Sequence, residues 1–170
     1  MNADHTAHPN AALIDGFYRA FQQRDHAAMA ACYAPDAVFE DAVFSLRGWR
    51  VGAMWRMLCE RGKDLRVEHS NVRADATQGS AHWDAWYTFS ASGRPVHNSI
   101  DADFELRDGR IVHHTDRFDL HRWASQALGL KGRLLGGTPF LRKAIRANAA
   151  RSLDAFARQN GLGDQGAPVS

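Results

Sequence analysis

Apolar side chains recur every three or four positions along the first third of the chain and every second position along its middle, and this change of period divides the sequence. Leu13, Ile14, Phe17 and Phe21 share one helical face behind a His8-Pro9-Asn10 start. Asp25 suits the N-cap of a second, short helix whose inner face carries Met29, Cys32 and Tyr33, and Pro35-Asp36 breaks it. The run AVFEDAVF (37–44) then predicts a short strand. Gly48 precedes a third helix over 49–61, with Met54, Trp55 and Leu58 on its apolar side, and Gly62 stops it.

Beyond it, residues 65–74, 79–90, 96–107 and 110–119 read as four strands, separated by Thr77-Gln78-Gly79, Ser92-Gly93 and Asp108-Gly109. Connections this short make an antiparallel meander. Helix resumes over 120–128. Thr138-Pro139 then supplies an N-cap and a first-turn proline for a last helix, whose stripe is Leu141, Ile145, Ala149, Leu153 and Phe156. Helices followed by a run of strands give an α+β fold: a curved antiparallel sheet wrapped on N-terminal helices into a cone, with an extra C-terminal helix. A bent sheet under three helices encloses a mostly apolar hollow, the kind of place where small molecules bind.

Composition changes this picture little. With 170 residues, 45% of them hydrophobic, the chain can bury one real core. A formal charge of +2 makes no case for nucleic acid. No apolar run approaches the ~20 residues of a membrane span. MNADHTAHPN shows no apolar segment before a cleavage site, so the cytoplasm is the expected compartment. Cys32 and Cys59 fall in helical patterns and read as small buried hydrophobes.

The candidate chemistry starts in SAHWDAWYTF (80–89), an aromatic strand that carries His82 and Asp84 on one face, with Trp86 next along it. Hairpin arithmetic tests whether a second acid can join them. A three-residue loop at 107–109 pairs 102 with 114 and 100 with 116. A three- or five-residue loop around Gly93 sets 84 opposite 102. Asp84, Ala102 and His114 then form one row across three strands, with Asp116 one step along and a small alanine between the acids. A two-residue turn at Asp108-Gly109 instead slips the register by one and turns Asp116 to the other face.

The order of elements resembles the nuclear transport factor 2-like superfamily, the cone fold of ketosteroid isomerase, SnoaL-like polyketide cyclases and limonene-epoxide hydrolase. DHAAMAACYAPDAVFED (25–41) is similar to the second helix and first strand of the isomerase type. FELRDGRIVHHTDRFDLHRWASQALGLKG (104–132) is similar to the end of the epoxide-hydrolase type. That type uses Arg-x-Asp on one strand and Asp at the end of another. HWD (82–84) and TDRFD (115–119) match, so the resemblance puts Asp84 and Asp116 on the catalytic carboxylates, with His82 in place of the arginine. Phe39 and Asp41 stand where the hydrolase positions its water, and Asp41 also stands where the isomerase keeps its base. Phe17 and Ala102 replace the isomerase oxyanion donors, which speaks against steroid isomerisation by that route.

The expectation is an enzyme on a small hydrophobic molecule, using general acid–base chemistry without a cofactor. Asp84 is the base, oriented by His82; Asp116 is the acid; Asp41 is a further candidate. Phe17, Phe39, Trp86, Ala102, His114 and Phe118 line the pocket. Epoxide hydrolysis, a SnoaL-like cyclisation and a double-bond shift all fit. The alternative is a non-catalytic ligand-binding or assembly module on the same scaffold. His82, Asp84, His114 and Asp116 have metal-ligand chemistry but no tight spacing, and no metal is expected. The basic run over 131–158 is read first as a solvated face or subunit contact, ahead of binding to anionic lipid or nucleic acid. The resemblance implies a homodimer. The expected divisions are a cone domain over 1–132, a helical extension over 133–161 and a flexible tail over 162–170.

Overall fold

The computed structural model describes residues 8–163; most of the expected tail lies outside them. The elements run α1 (Pro9–Gln22), α2 (His26–Ala31), β1 (Tyr33–Glu40), β2 (Ser45–Arg47), α3 (Trp49–Arg61), β3 (Arg66–Ala74), β4 (Gln78–Phe89), β5 (Arg94–Arg107), β6 (Arg110–Arg117), α4 (Leu120–Leu128), α5 (Leu130–Leu135) and α6 (Pro139–Gln159). The expected caps are present: Asp25 Oδ1 accepts from Ala28 N at 3.0 Å, and Thr138 Oγ1 from Leu141 N at 3.3 Å. Two elements were not expected, the short strand β2 and the helix α5. Tyr33 opens β1 rather than closing α2, and Pro35-Asp36 lies within that strand. Proline is tolerated in a strand where its missing N–H breaks no ladder bond, and the β1–β6 register is irregular between Tyr33 and Val38.

The six strands form one curved sheet in the order β2-β1-β6-β5-β4-β3, antiparallel except for β1 against β6. Helices α1 and α3 cover its inner face. Ile14, Phe17, Tyr18 and Phe21 come from α1 and Met54 and Trp55 from α3; they meet Phe39, Trp83, Ile100, Ala102 and Phe104 of the sheet in one core. Gly79 permits the close approach of α1, since a Cβ there would lie 2.4 Å from Ile14 Cδ1. Helix α6 lies against α3, tied by Arg50 Nη2 to Asp154 Oδ1 at 2.7 Å and by Arg61 Nη1 to Ser152 Oγ at 2.6 Å. No helix among the described residues is long and apolar enough to cross a membrane.

The two hairpins depart from the expected register in opposite senses. Asp108-Gly109 does form a two-residue turn, with φ of 52° and 71°, and Arg107 pairs with Arg110. A bulge follows at once: Leu106 pairs with Ile111 but Glu105 with His113. The extra residue restores the parity that the tight turn removed, so Ala102 pairs with Asp116 and Phe104 with His114, all facing inward. The β4–β5 loop has four residues, 90–93, so Asp84 pairs with Ser99 and Ala81 with Ala102. The one-residue difference turns every β4 side chain over. Ala81, Trp83 and Ala85 face the core, and His82, Asp84 and Trp86 face outward. The expected row of Asp84, Ala102 and His114 therefore does not form.

Candidate active site

Inside the cone, the inward row Phe39–His114–Phe104 lies beside the row Asp116–Ala102–Ala81. Asp41 follows the last residue of β1, near enough to Asp116 for the two charges to interact. His114 and Asp116 are 0% and 4% exposed. A buried carboxyl without donors costs several kcal/mol. Here the donors are present. Trp55 Nε1 donates to Tyr33 Oη at 2.9 Å, and Tyr33 Oη lies 2.7 Å from His114 Nδ1. His114 Nε2 lies 2.9 Å from Asp116 Oδ1, and Trp83 Nε1 donates to that same oxygen at 3.4 Å. One tautomer satisfies the whole chain: the imidazole carries its proton on Nε2, accepts from Tyr33 at Nδ1 and donates to Asp116. Every donor points toward Asp116, and Oδ2 takes no part in these bonds.

The shell around this chain is aromatic. The rings of Phe17, Phe39, Trp55 and Phe104 stand 4.3–6.0 Å from the His114 ring, centroid to centroid, so they touch it directly. The hollow is thus filled by side chains rather than left open at its centre. One polar atom stands out. The Tyr18 hydroxyl is fully buried and has no hydrogen-bond partner among the described residues. Burial first, and then the charge of Asp116, push its pKa well above 10. Burial likewise holds the Tyr33 hydroxyl well above 10, against the Trp55 hydrogen bond.

Asp41 is half-buried and caps its own turn, accepting from Val43 N at 2.7 Å and Phe44 N at 2.6 Å through Oδ1. Burial pushes its carboxyl up, from 3.8 to about 6. The two backbone donors pull the other way, while the Asp116 charge adds to the rise.

On the outer face a second cluster assembles around Asp84. His82 Nε2 lies 3.1 Å from Asp84 Oδ2, and His97 Nε2 lies 2.8 Å from Oδ1. His82 Nδ1 lies 2.8 Å from Asp101 Oδ1, and Ser99 Oγ lies 3.2 Å from His82 Nε2. Serine, histidine and aspartate thus stand in line, but with a second acid on the far side of the ring. The Asp101 hydrogen bond leads the forces that raise the His82 pKa, so acids on both sides favour the doubly protonated ring. Partial burial works to raise the Asp84 pKa; hydrogen bonds from His97, Ser99 and His82 outweigh it and hold it low. Trp86 belongs to this face too, stacked 4.6 Å from His97 with the Arg66 guanidinium over its ring. No group of three His, Cys, Asp or Glu among the described residues has metal-binding geometry.

Of the residues singled out in the sequence, Asp41, Asp116, Phe17, Phe39, Ala102 and His114 gather at the cone. Phe118 packs half-buried against the core. His82, Asp84 and Trp86 lie across the sheet from them. The sequence reading set Tyr33 and Trp55 on the inner faces of helices without a site role, and gave none to Trp83 or Tyr18. Trp83's offset by one from Asp84 was the signal that it takes the face opposite to that acid.

A family model described as a SnoaL-like domain matches residues 14–114. No curated protein matches the chain. Among solved structures, an epoxide hydrolase like limonene-epoxide hydrolase from Mycobacterium tuberculosis is 22% identical, covering 74% of this chain and 92% of its own, with a TM-score of 0.57. IdmH, a candidate polyketide cyclase from Streptomyces antibioticus, is 24% identical over 72% of this chain and all of its own, with a TM-score of 0.58. A candidate polyketide cyclase from Xanthomonas campestris pv. campestris is 23% identical over 70% and 96%, with a TM-score of 0.57. At these identities the likeness is one of fold.

Proposed function

The chain belongs to the SnoaL-like domain family, and from that premise we propose that it is a cofactor-independent acid–base enzyme acting on a small, largely apolar molecule. The observation that carries the reading is the buried Asp116 at the end of a directed donor chain, with Asp41, whose carboxyl burial pushes up to about 6, near enough to interact with its charge. Asp41 gives a proton to a developing oxyanion, from an opening epoxide or an enolising carbonyl. Asp116 takes a proton through Oδ2, from water or from carbon. His114, Tyr33 and Trp55 are positioning residues that hold the Asp116 carboxylate in one orientation. The Tyr18 hydroxyl offers a further donor without a partner of its own. Roles as base and orienting group at Asp84 and His82 lose support, because both face away from this hollow.

The second reading is a non-catalytic binding or assembly module. The filling of the cone by Phe17, Phe39, Trp55 and Phe104 favours it, since a substrate must displace rings that already touch. A panel of small epoxides and cyclic ketones, assayed with wild type, Asp116→Asn, Asp41→Asn and Asp84→Asn, separates the two. The enzyme reading expects turnover that falls by about 10²–10⁴ in Asp116→Asn and Asp41→Asn and stays near wild type in Asp84→Asn. Turnover lost in Asp84→Asn alone, or ligand binding without turnover in wild type, overturns it.

A further inference from the structure

Helix α5 is held against α4 by its one buried residue. A Cβ at Gly132 would lie 1.8 Å from the Ala124 carbonyl oxygen, so only glycine lets the two helices meet. Residues two apart on a helix point roughly opposite ways. Leu130 and Leu134 flank Gly132 at that distance, so the contact turns both outward, and each is 69% exposed. Leu135, the last residue of α5, is 41% exposed, and Phe140, the second residue of α6, is 78% exposed. Four of the five exposed large apolar side chains among the described residues thus fall between positions 130 and 140. Single exposed leucines are ordinary; four large apolar side chains exposed within eleven residues are not.

The same stretch is basic. From Leu120 to Leu153 the sequence has no acidic residue and seven Lys or Arg. Lys131 and Arg133 flank the leucines on α5, and Lys143 follows Phe140 by one helical turn. Arg142, Lys143 and Arg146 line an open cleft of about 610 Å³ beside Val43 and Ser45, and none of the three makes an ion pair among the described residues. Apolar tips interleaved with unpaired cations match one kind of surface: acyl chains beneath anionic headgroups. A second copy of the same patch would set cations against cations.

We propose that α5 and the first turns of α6 form a peripheral docking face for anionic lipid bilayers, with Leu130, Leu134 and Phe140 inserting and Lys131, Arg133 and Lys143 binding headgroups. The face lies beyond residues 14–114 of the family match and is independent of the acid–base reading.

Flotation of the full-length protein with phosphatidylcholine vesicles, with and without about one third phosphatidylglycerol, tests this. The expected result is at least tenfold stronger binding to the anionic vesicles, and a loss of about tenfold or more in Leu134→Ser/Phe140→Ser. Absence of binding to anionic vesicles overturns the proposal. So does binding that ignores the serine variant, which would be charge attraction alone. Phe140→Trp gives a second readout: quenching by lipids brominated in the acyl chain is expected, and no quenching on bound vesicles overturns insertion. A lipid-free oligomer that dissociates in the serine variant makes the face a contact between copies, or an acidic protein's docking site if one competes with vesicles, and also overturns the lipid reading.

Discussion

Replacing Asp41 with Asn separates the cost of a strained acid from the use of its oxygens. In the folded protein the Asp41 carboxyl is pushed from 3.8 to about 6, chiefly by burial. Below 3.8 both folded and unfolded states hold the proton, and stability is independent of this group. Between 3.8 and about 6 the folded state keeps a proton that the unfolded state has lost, so stability falls as pH rises. Above about 6 the loss is constant. At 1.36 kcal/mol per pH unit the full loss is about 3 kcal/mol, and solvent reaching a half-buried carboxyl trims it to about 1–3 kcal/mol. The Asn carbonyl oxygen can still accept from Val43 N and Phe44 N, the two bonds that Oδ1 now takes. Asp41→Asn is therefore expected to match wild type near pH 3.5 and to be about 1–3 kcal/mol more stable at pH 7. Urea unfolding of both proteins across pH 3.5–8 measures this, because every other titrating group is shared. Parallel stability curves would refute the reasoning, and a widening gap toward acid would reverse its sign. A gain in stability joined to a loss of turnover would mark Asp41 as a residue kept for function at the expense of the fold.

Tyr33→Phe keeps the ring but leaves Trp55 Nε1 and His114 Nδ1 buried without partners, so a loss of about 2–4 kcal/mol is expected in urea unfolding; a change below about 0.5 kcal/mol would mean the hydroxyl bridges nothing. The His82 imidazolium is held chiefly by Asp101 and has a raised pKa, so the stability it contributes is present below its unfolded value of 6.5 and fades as pH rises through the folded one. NMR titration is expected to show His82 deprotonating above the free value, and to show it moving back down in Asp101→Asn. Gly132→Ala forces a methyl into the Ala124 carbonyl and is expected to destabilise the α4–α5 contact by about 1–3 kcal/mol, read by thermal unfolding and by faster amide exchange in 130–135.

Much of the fold was open to inference because periodicity reports which side of an element is buried. Apart from β1, expected over 37–44 and found at Tyr33–Glu40, every long helix and strand lies close to where its spacing placed it. The three-residue β2 is too short to carry a period, and the six-residue α5 lacks the side-chain N-cap that marked the equally short α2. The site is a harder case, because a face in a sheet depends on loop length to the single residue. Loop 90–93 holds four residues where an odd number was expected, and that alone carried Asp84, His82 and Trp86 to the outside. At the other hairpin the turn also ran against expectation, yet a bulge two residues later reversed its effect and left Asp116 inside.

Those two outcomes bear on how the acids came to be distributed. A polar alternation such as His82, Asp84 and Trp86 is what an outer sheet face needs, and the aromatic Trp83 between them serves the core. Asp116 has no such excuse. It is 4% exposed, in a shell of rings, and survives there only because four side chains from α3, β1, β4 and β6 point donors along one line toward it. Apolar residues of similar volume would fill the same space at lower cost. A carboxyl supported from four elements, with Oδ2 left out of the network and a second acid, raised to about 6, within reach of its charge, is an arrangement that packing alone does not require. That asymmetry between the two faces is the reason to propose Asp41 and Asp116, rather than Asp84, as the acids of the site.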